Sequence, residues 1–336
     1  MKGFVTFGEI MLRLTPAVKG GKLSMAPEFS VGYAGAESNV AVSLACLGNQ
    51  VGFVSKVPNN PIGNAALMSL KQFGVSTENV LVGGKRLGTY FIELGSSIRP
   101  SKVIYDREHS AISQVKAGEI DWKTILKDKK WLHLSGITPA LSVQCAKETI
   151  LAAKIAKEMG IKVSFDLNFR RSLWQNGKAA REVFNSIIAS SDTVFANLGA
   201  LADVYDLEFS GGNVVEQTKE AMKVTNDLFD VNNVVFTIRE HDSASQNKLM
   251  GMHWANGEIT TSKPYSVQIE DRFGTGDAFA AAYLHAANNG WEVKTCIEFA
   301  TAAFALKHTL KGDLHTSTEE EIRSIMNGNL SGHVIR

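Results

Sequence analysis

The stretch VQIEDRFGTGDAFAAAYLHA, Val267 to Ala286, sets two glycines, a threonine and two aspartates between an extended apolar run and an alanine-rich segment. Glycine loses more backbone freedom on folding than any other residue. Gly274 and Gly276 therefore belong where the chain turns tightly and its amides face an anion. The residues after them, Ala278-Phe279-Ala280-Ala281-Ala282-Tyr283-Leu284, form helix strongly. Gly274-Thr275-Gly276-Asp277 is thus expected at a helix N-terminus, where unpaired N–H groups and the dipole favour negative charge. Asp277 beside that site has two readings. One is a helix-start residue favoured by the dipole. The other is a catalytic base, held ionised at the positive helix end, that takes a proton from a hydroxyl as it attacks phosphorus. The turn's N–H groups would then meet the charge developing on the phosphoryl group. A GxG turn also serves as a plain structural cap. The chain has no G-x-x-x-x-G-K-[ST], and no G-x-G-x-x-G follows its first strand, which argues against a P-loop NTPase and a dinucleotide-binding fold.

The elements that must position this turn read as follows. Gly3–Gly8 is a buried strand, Glu37–Leu47 a helix stopped by Gly48, VGFVSKV a strand, and Asn64–Phe73 a helix closed by Gly74. MLRLTP, GTYFIEL and KVIYDRE alternate with period two and predict exposed antiparallel strands. From about Lys130, strands (WLHLSG, IKVSFDLN, TVFAN, NVVFTI) alternate with helices (Val143–Met159, Lys178–Ala189 and one around Val215–Phe229). That alternation predicts an α/β fold: a doubly wound, mainly parallel sheet with helices on both faces. Asn256-Gly257 marks a hairpin. Helices over Asp277–Asn288 and Val293–Leu310 and one starting near Ser317 complete a single domain over residues 1–336. In such sheets ligands bind at the carboxyl ends of the strands. A small β element drawn from about 9–33 and 84–115 would cover that edge as a lid.

Composition narrows the class. Hydrophobic residues at 44% and charged residues at 21% fit a soluble globular protein, and a net charge of +1 points to neither nucleic acid nor membrane. No apolar run approaches the roughly 20 residues of a membrane helix. Glu9 and Arg13, with no small-residue cleavage site, argue against a signal peptide. Cys46, Cys145 and Cys296 sit in apolar surroundings and read as buried thiols of a reducing cytoplasm.

DRFGTGDAFAAAYL resembles the C-terminal signature of the ribokinase-like (PfkB) carbohydrate kinases, D-[TS]-x-G-[AG]-G-D. VGYAGAESNVAVSLACLG (Val31–Gly48) resembles their N-terminal glycine-rich signature, in the right order and spacing. LHLSGITPAL and SFDLNFRRSLW are similar to stretches of the 2-keto-3-deoxygluconate kinases within that family. The resemblance implies ATP-dependent phosphorylation of 2-keto-3-deoxy-D-gluconate at its 6-hydroxyl, with ATP and Mg2+. It implies catalytic roles for Asp277, Gly274, Thr275 and Gly276. Substrate contacts are implied at Gly35, Asn39, Tyr90, Tyr105, Arg107, Ile137, Arg170 and Asp313. Asn168, Arg170, Thr237, Arg239 and the 274–276 turn are implied on the nucleotide side.

Arginine suits a sugar-acid carboxylate, because its fork matches two oxygens at once. Competing readings are cross-strand pairing on an exposed face for Tyr90, Tyr105 and Arg107, surface charge for Arg170 and a turn residue for Asp313. Two departures bear on the nucleotide side. The family's N-x-x-E reads Asn197-Leu198-Gly199-Ala200, without the glutamate that helps organise magnesium, and Asp203 and Glu208 are out of register. FTIREHDSASQN replaces the usual glycine-containing loop. Alternatives are a fructokinase or other neutral-sugar kinase, and a sugar-acid-binding regulator without turnover. The expected partners are a small sugar acid and ATP, with self-association through the lid, in the cytoplasm.

Overall fold

The computed structural model describes residues 3–174, 176–241 and 243–330. The first part of the chain holds β1 (Gly3–Phe7), β2 (Met11–Pro16), β3 (Phe29–Ala34), α1 (Ala36–Cys46), β4 (Val51–Val57), α2 (Pro61–Lys71), β5 (Val80–Val82), β6 (Gly88–Glu93) and β7 (Lys102–Asp106). Strand–helix alternation follows in α3 (Trp122–Leu126), β8 (Lys129–Ser135), α4 (Val143–Glu158), β9 (Lys162–Asp166), α5 (Gly177–Ile188), β10 (Thr193–Ala196), α6 (Leu198–Tyr205), α7 (Val214–Phe229) and β11 (Asn233–His241). The last part holds β12 (Gln246–Ala255), β13 (Glu258–Thr261), β14 (Tyr265–Gln268), α8 (Thr275–Asn288), α9 (Val293–Lys307) and α10 (Glu319–Met326).

The large sheet has the order β13-β12-β11-β10-β9-β8-β1-β4-β5, with β14 also on β12. From β11 to β5 every pairing is parallel. The pairings of β12 with β11, β13 and β14 are antiparallel. Successive strand residues feed opposite faces, as the pleat requires. Phe4, Phe53 and Val235 enter one apolar core with α1, α8 and α9. Val5, Val54 and Val234 enter the other with α4, α5 and α7. Burial on both faces explains why these strands read as continuous apolar runs. The predicted doubly wound sheet is what the chain forms.

The stops work as expected: Gly48 and Gly74 have φ of +80° and +82°, in the left-handed region that favours glycine. Asn256 and Gly257, both at positive φ, join β12 to β13. Thr318 and Glu321 form a reciprocal capping box at the start of α10.

A second sheet has the order β3-β2-β6-β7, and its strands fall within the segments expected to form a lid. The outer pairs are antiparallel, but β2 and β6 run parallel, which corrects the all-antiparallel expectation. The cause is connectivity. β2 follows β1 and β6 follows β5, two strands of the large sheet that point the same way, so both excursions leave one edge in one direction.

Candidate active site

Gly274 occupies the N-cap of α8 at φ +70°, and no side chain caps the helix. A Cβ there would run into the Asp313 carbonyl oxygen, so both conformation and close approach demand glycine. Gly276 is different: a Cβ there meets nothing within 4 Å, which leaves space beside the turn. Thr275 Oγ1 donates to the Arg272 carbonyl (3.1 Å) and accepts from Arg239 Nη2 (2.9 Å), fixing the turn from behind. The amides that open α8 therefore face the cavity with no side chain of their own to bind.

Asp277, in the first turn of α8, is buried, and its Oδ2 accepts from Asn39 Nδ2 at 2.7 Å. The Asn39 Oδ1 takes the Gly35 amide (3.3 Å), which aims the amide end at Asp277. Burial pushes the Asp277 carboxyl up to about 8, the Asn39 bond opposes this, and the nearby Asp166 and Asp313 add to it. The expectation that a helix end keeps Asp277 ionised is thereby corrected. Desolvation favours the protonated form of Asp277 in the free site.

The substrate positions implied by the resemblance lie around one cavity of about 570 Å³. Gly35 and Asn39 begin α1, and a Cβ at Gly35 would strike the Glu9 carbonyl oxygen. Tyr90 on β6 is buried and stacks on the half-exposed Tyr105 directly across the sheet, centroids 5.9 Å apart. Ile137 follows β8. Arg170 is exposed and lines the cavity, its Nη1 donating to the Phe169 carbonyl (3.2 Å).

Two of these residues are engaged in ways the sequence did not show. Arg107 Nη2 pairs with Glu9 Oε2, which Ser110 also supports through Glu9 Oε1 (2.6 Å). The buried Arg107 Nε has no hydrogen-bond partner among the described residues. Asp313 pairs with the buried Arg13, whose other nitrogen meets Asp271 at 2.6 Å. Arg13 thus ties β2 of the small sheet to both sides of the glycine turn.

The same cavity is also lined by Asn168, Thr237, Arg239 and the 274–276 turn. Asn197 caps α6 by accepting from the Ala200 amide (2.9 Å), and Ala200 itself is buried in that helix. The nearby Asp203 is committed to Arg171 on the surface. Asp166, at the end of β9, lines the cavity and is pushed up to about 6 by burial, against the Asn168 amide and Arg170. Among the described residues, no group of three or more His, Cys, Asp or Glu is arranged to hold a metal ion. Asp166 and Asn197 are among the residues that offer oxygen donors to this cavity.

Glu9, Arg13, Asp166 and Arg272 were not singled out from the sequence. Glu9, Asp166 and Arg272 line the cavity. Only Asp166 had a readable sign, as the acid of SFDLN at a strand's carboxyl end.

The family model described as "pfkB family carbohydrate kinase" matches residues 1–319. The chain is 32% identical to the 2-dehydro-3-deoxygalactonokinase of Haloferax volcanii, over 98% of each. It is 41% identical to the crystal structure of 2-dehydro-3-deoxygluconokinase from Thermotoga maritima, with a TM-score of 0.93 over 98% of this chain and 99% of that one. A putative ribokinase II from E. coli, solved with ATP and Mg2+, has the same fold at 20% identity, with a TM-score of 0.80 over 97% of this chain and 99% of that one.

Proposed function

The chain belongs to the pfkB family of carbohydrate kinases, and we propose that it transfers the γ-phosphoryl group of ATP to the 6-hydroxyl of 2-keto-3-deoxy-D-gluconate. The observation that carries the chemistry is Asp277, a buried carboxyl beside uncapped helix-start amides in a cavity of ligand size. The likeness to the Thermotoga enzyme supports the acceptor. Once ionised, Asp277 takes the proton of the 6-hydroxyl while that oxygen bonds to the γ-phosphorus and the bond to the β-phosphate oxygen breaks, releasing ADP. The amides of the 274–277 turn face the phosphoryl oxygens where charge develops. Asn39 aims the Asp277 carboxylate, and the small sheet closes over the sugar as a lid. A specific second reading is the 4-epimer, 2-keto-3-deoxygalactonate, which the Haloferax relative supports.

A coupled ADP-release assay across both epimers, fructose and ribose tests the proposal. The expected result is kcat/KM highest for the sugar acids; a preference for a neutral sugar would overturn it.

The residues present fit a magnesium ion carried by the nucleotide, because Asp166 and Asn197 are hard oxygen donors lining the cavity. Asp166 and Asn197 would help hold such an ion, which would supply charge neutralisation of the phosphate oxygens. Equilibrium dialysis with Mn2+ is expected to show retention only when ADP or ATP is present. Tight retention by the protein alone would contradict this arrangement.

The outer face of the small sheet exposes Val31 (63%), Ile104 (56%) and Phe29 (37%), a patch suited to a second copy of this chain. Sedimentation is expected to show a dimer for the natural sequence and a monomer for Val31→Glu/Ile104→Glu. Identical sedimentation of the two would exclude the lid as the interface.

A further inference from the structure

Arg239, near the end of β11, and Arg272, two residues before Gly274, both line the cavity beside the start of α8. Arg239 reaches Thr275 Oγ1 at 2.9 Å and lies over the Phe304 ring, 5.4 Å from its centroid. Its Nε is buried and, among the described residues, without a hydrogen-bond partner. Arg272 Nη2 donates to the Ala244 carbonyl at 2.9 Å. Among the described residues, no carboxylate pairs with either guanidinium. The acids nearest in sequence are committed elsewhere, Asp271 to Arg13 and Glu240 to Lys248. The pair is therefore two like charges in a cavity wall with donors to spare. Arg272 helps push the Arg239 pKa down to about 10, after the larger effect of burial. Such an arrangement is costly unless an anion lies against it.

We propose that Arg272 and Arg239 together clamp the phosphate chain of the nucleotide behind the transferred group. This inference rests on the kinase reading and adds Arg272 to it as a binding residue, at the place where the family signature carries threonine or serine. The placement follows from the tethers. Arg239 is fixed to Thr275, at the start of the turn, whereas the proton acceptor Asp277 lies two residues further on. Arg170, whose charge reaches Asp277, stands near the transferred group instead. The clamp supplies cationic forks in a chain whose Asn197-Leu198-Gly199-Ala200 segment carries alanine where the resembled family has glutamate, so the nucleotide's charge is met by guanidinium as well as by metal.

Calorimetric titration of the full protein with ADP and with adenosine, without sugar, tests the clamp. Arg272→Met is expected to weaken ADP about 10–100-fold, the scale of a charge-assisted pair, and adenosine less than about twofold. Arg272→Lys should recover part of the loss, since it keeps the charge without the fork. In steady state, KM for ATP should rise while KM for the sugar stays unchanged. Equal weakening of ADP and adenosine, or no change in either, would overturn the proposal and leave Arg272 as a support for the Ala244 turn. Neither titration depends on which sugar is phosphorylated, so a wrong acceptor leaves the result standing. Failure of the natural protein to bind ADP would overturn the kinase reading itself.

Discussion

Asp277→Asn is expected to lower kcat by about two to four orders of magnitude, the usual contribution of a positioned general base. ADP affinity should be nearly unchanged, because the amides of the turn and the guanidiniums behind it remain. The asparagine keeps the shape and can still accept the Asn39 bond, so the loss isolates proton transfer. The acidity of the site predicts the pH dependence. With the Asp277 carboxyl raised to about 8 by burial, the base form grows as pH rises. Consequently kcat/KM should climb through pH 7 and level off above about 8. The same shift fixes a stability effect of opposite sense. The folded protein holds a proton on Asp277 up to about 8, whereas the unfolded chain gives it up near the ordinary aspartate value of 3.8. Between those limits the folded state binds more protons, so this group makes stability fall as pH rises. Asp277→Asn removes that penalty. Its Tm at pH 8 should exceed that of the natural protein by on the order of 2–5 °C, and the difference should vanish below about pH 4. A variant with near-normal turnover would remove Asp277 from the mechanism. One with reduced turnover but lower Tm at pH 8 would show that the carboxylate is a structural asset rather than a strained one.

Much of this arrangement was written locally. The glycine stops at 48 and 74, the Asn256-Gly257 hairpin and the alternation of apolar strands with helices are short-range features, and they fix the large sheet. The anion turn is local too, because Gly274, Thr275 and Asp277 are near neighbours of the helix they start. Strand β3 was harder to see, because Gly32 interrupts its apolar alternation. Helix α6 was missed because it is short and carries Gly199 in its first turn. The ionic contacts were not readable at all. Glu9 and Arg107 are 98 positions apart, and Arg13 and Asp313 are 300 apart. Each of these charges is ordinary in its own segment, and only the crossing of the small sheet over the large one brings the partners together. The state of Asp277 failed to follow from sequence for a related reason. The dipole that favours its charge is local, but the burial that opposes it depends on the whole fold.

That long-range pairing changes what Arg107 can be expected to do. On sequence grounds the substrate carboxylate is the anion that the Arg107 fork suits. The structure gives Arg107 an anion of its own in Glu9, while among the described residues its buried Nε has no hydrogen-bond partner. Truncating Arg107 alone therefore has two consequences: it removes a donor from the sugar side and strands a buried carboxylate. Breaking a buried pair in that way costs about 3–5 kcal/mol, enough to obscure any specific effect on substrate. The separation comes from a second substitution. Arg107→Met is expected to lower Tm and to weaken every sugar the enzyme accepts. Adding Glu9→Gln should restore most of the Tm, since no charge is then left unpaired. If Arg107 meets the sugar-acid carboxylate, the double variant will still bind 2-keto-3-deoxygluconate more weakly by a few kcal/mol, the scale of a charge-assisted hydrogen bond lost in a desolvated site. A neutral sugar, having no carboxylate to lose, should bind the double variant about as well as it binds the natural protein. Full recovery of sugar-acid affinity in Glu9→Gln/Arg107→Met would mean that Arg107 serves only to hold Glu9 and the small sheet in place. The selection of an acidic sugar would then rest on Arg170 alone, an exposed side chain at which a charge pair is worth little, and a neutral-sugar kinase would become the better reading of this cavity.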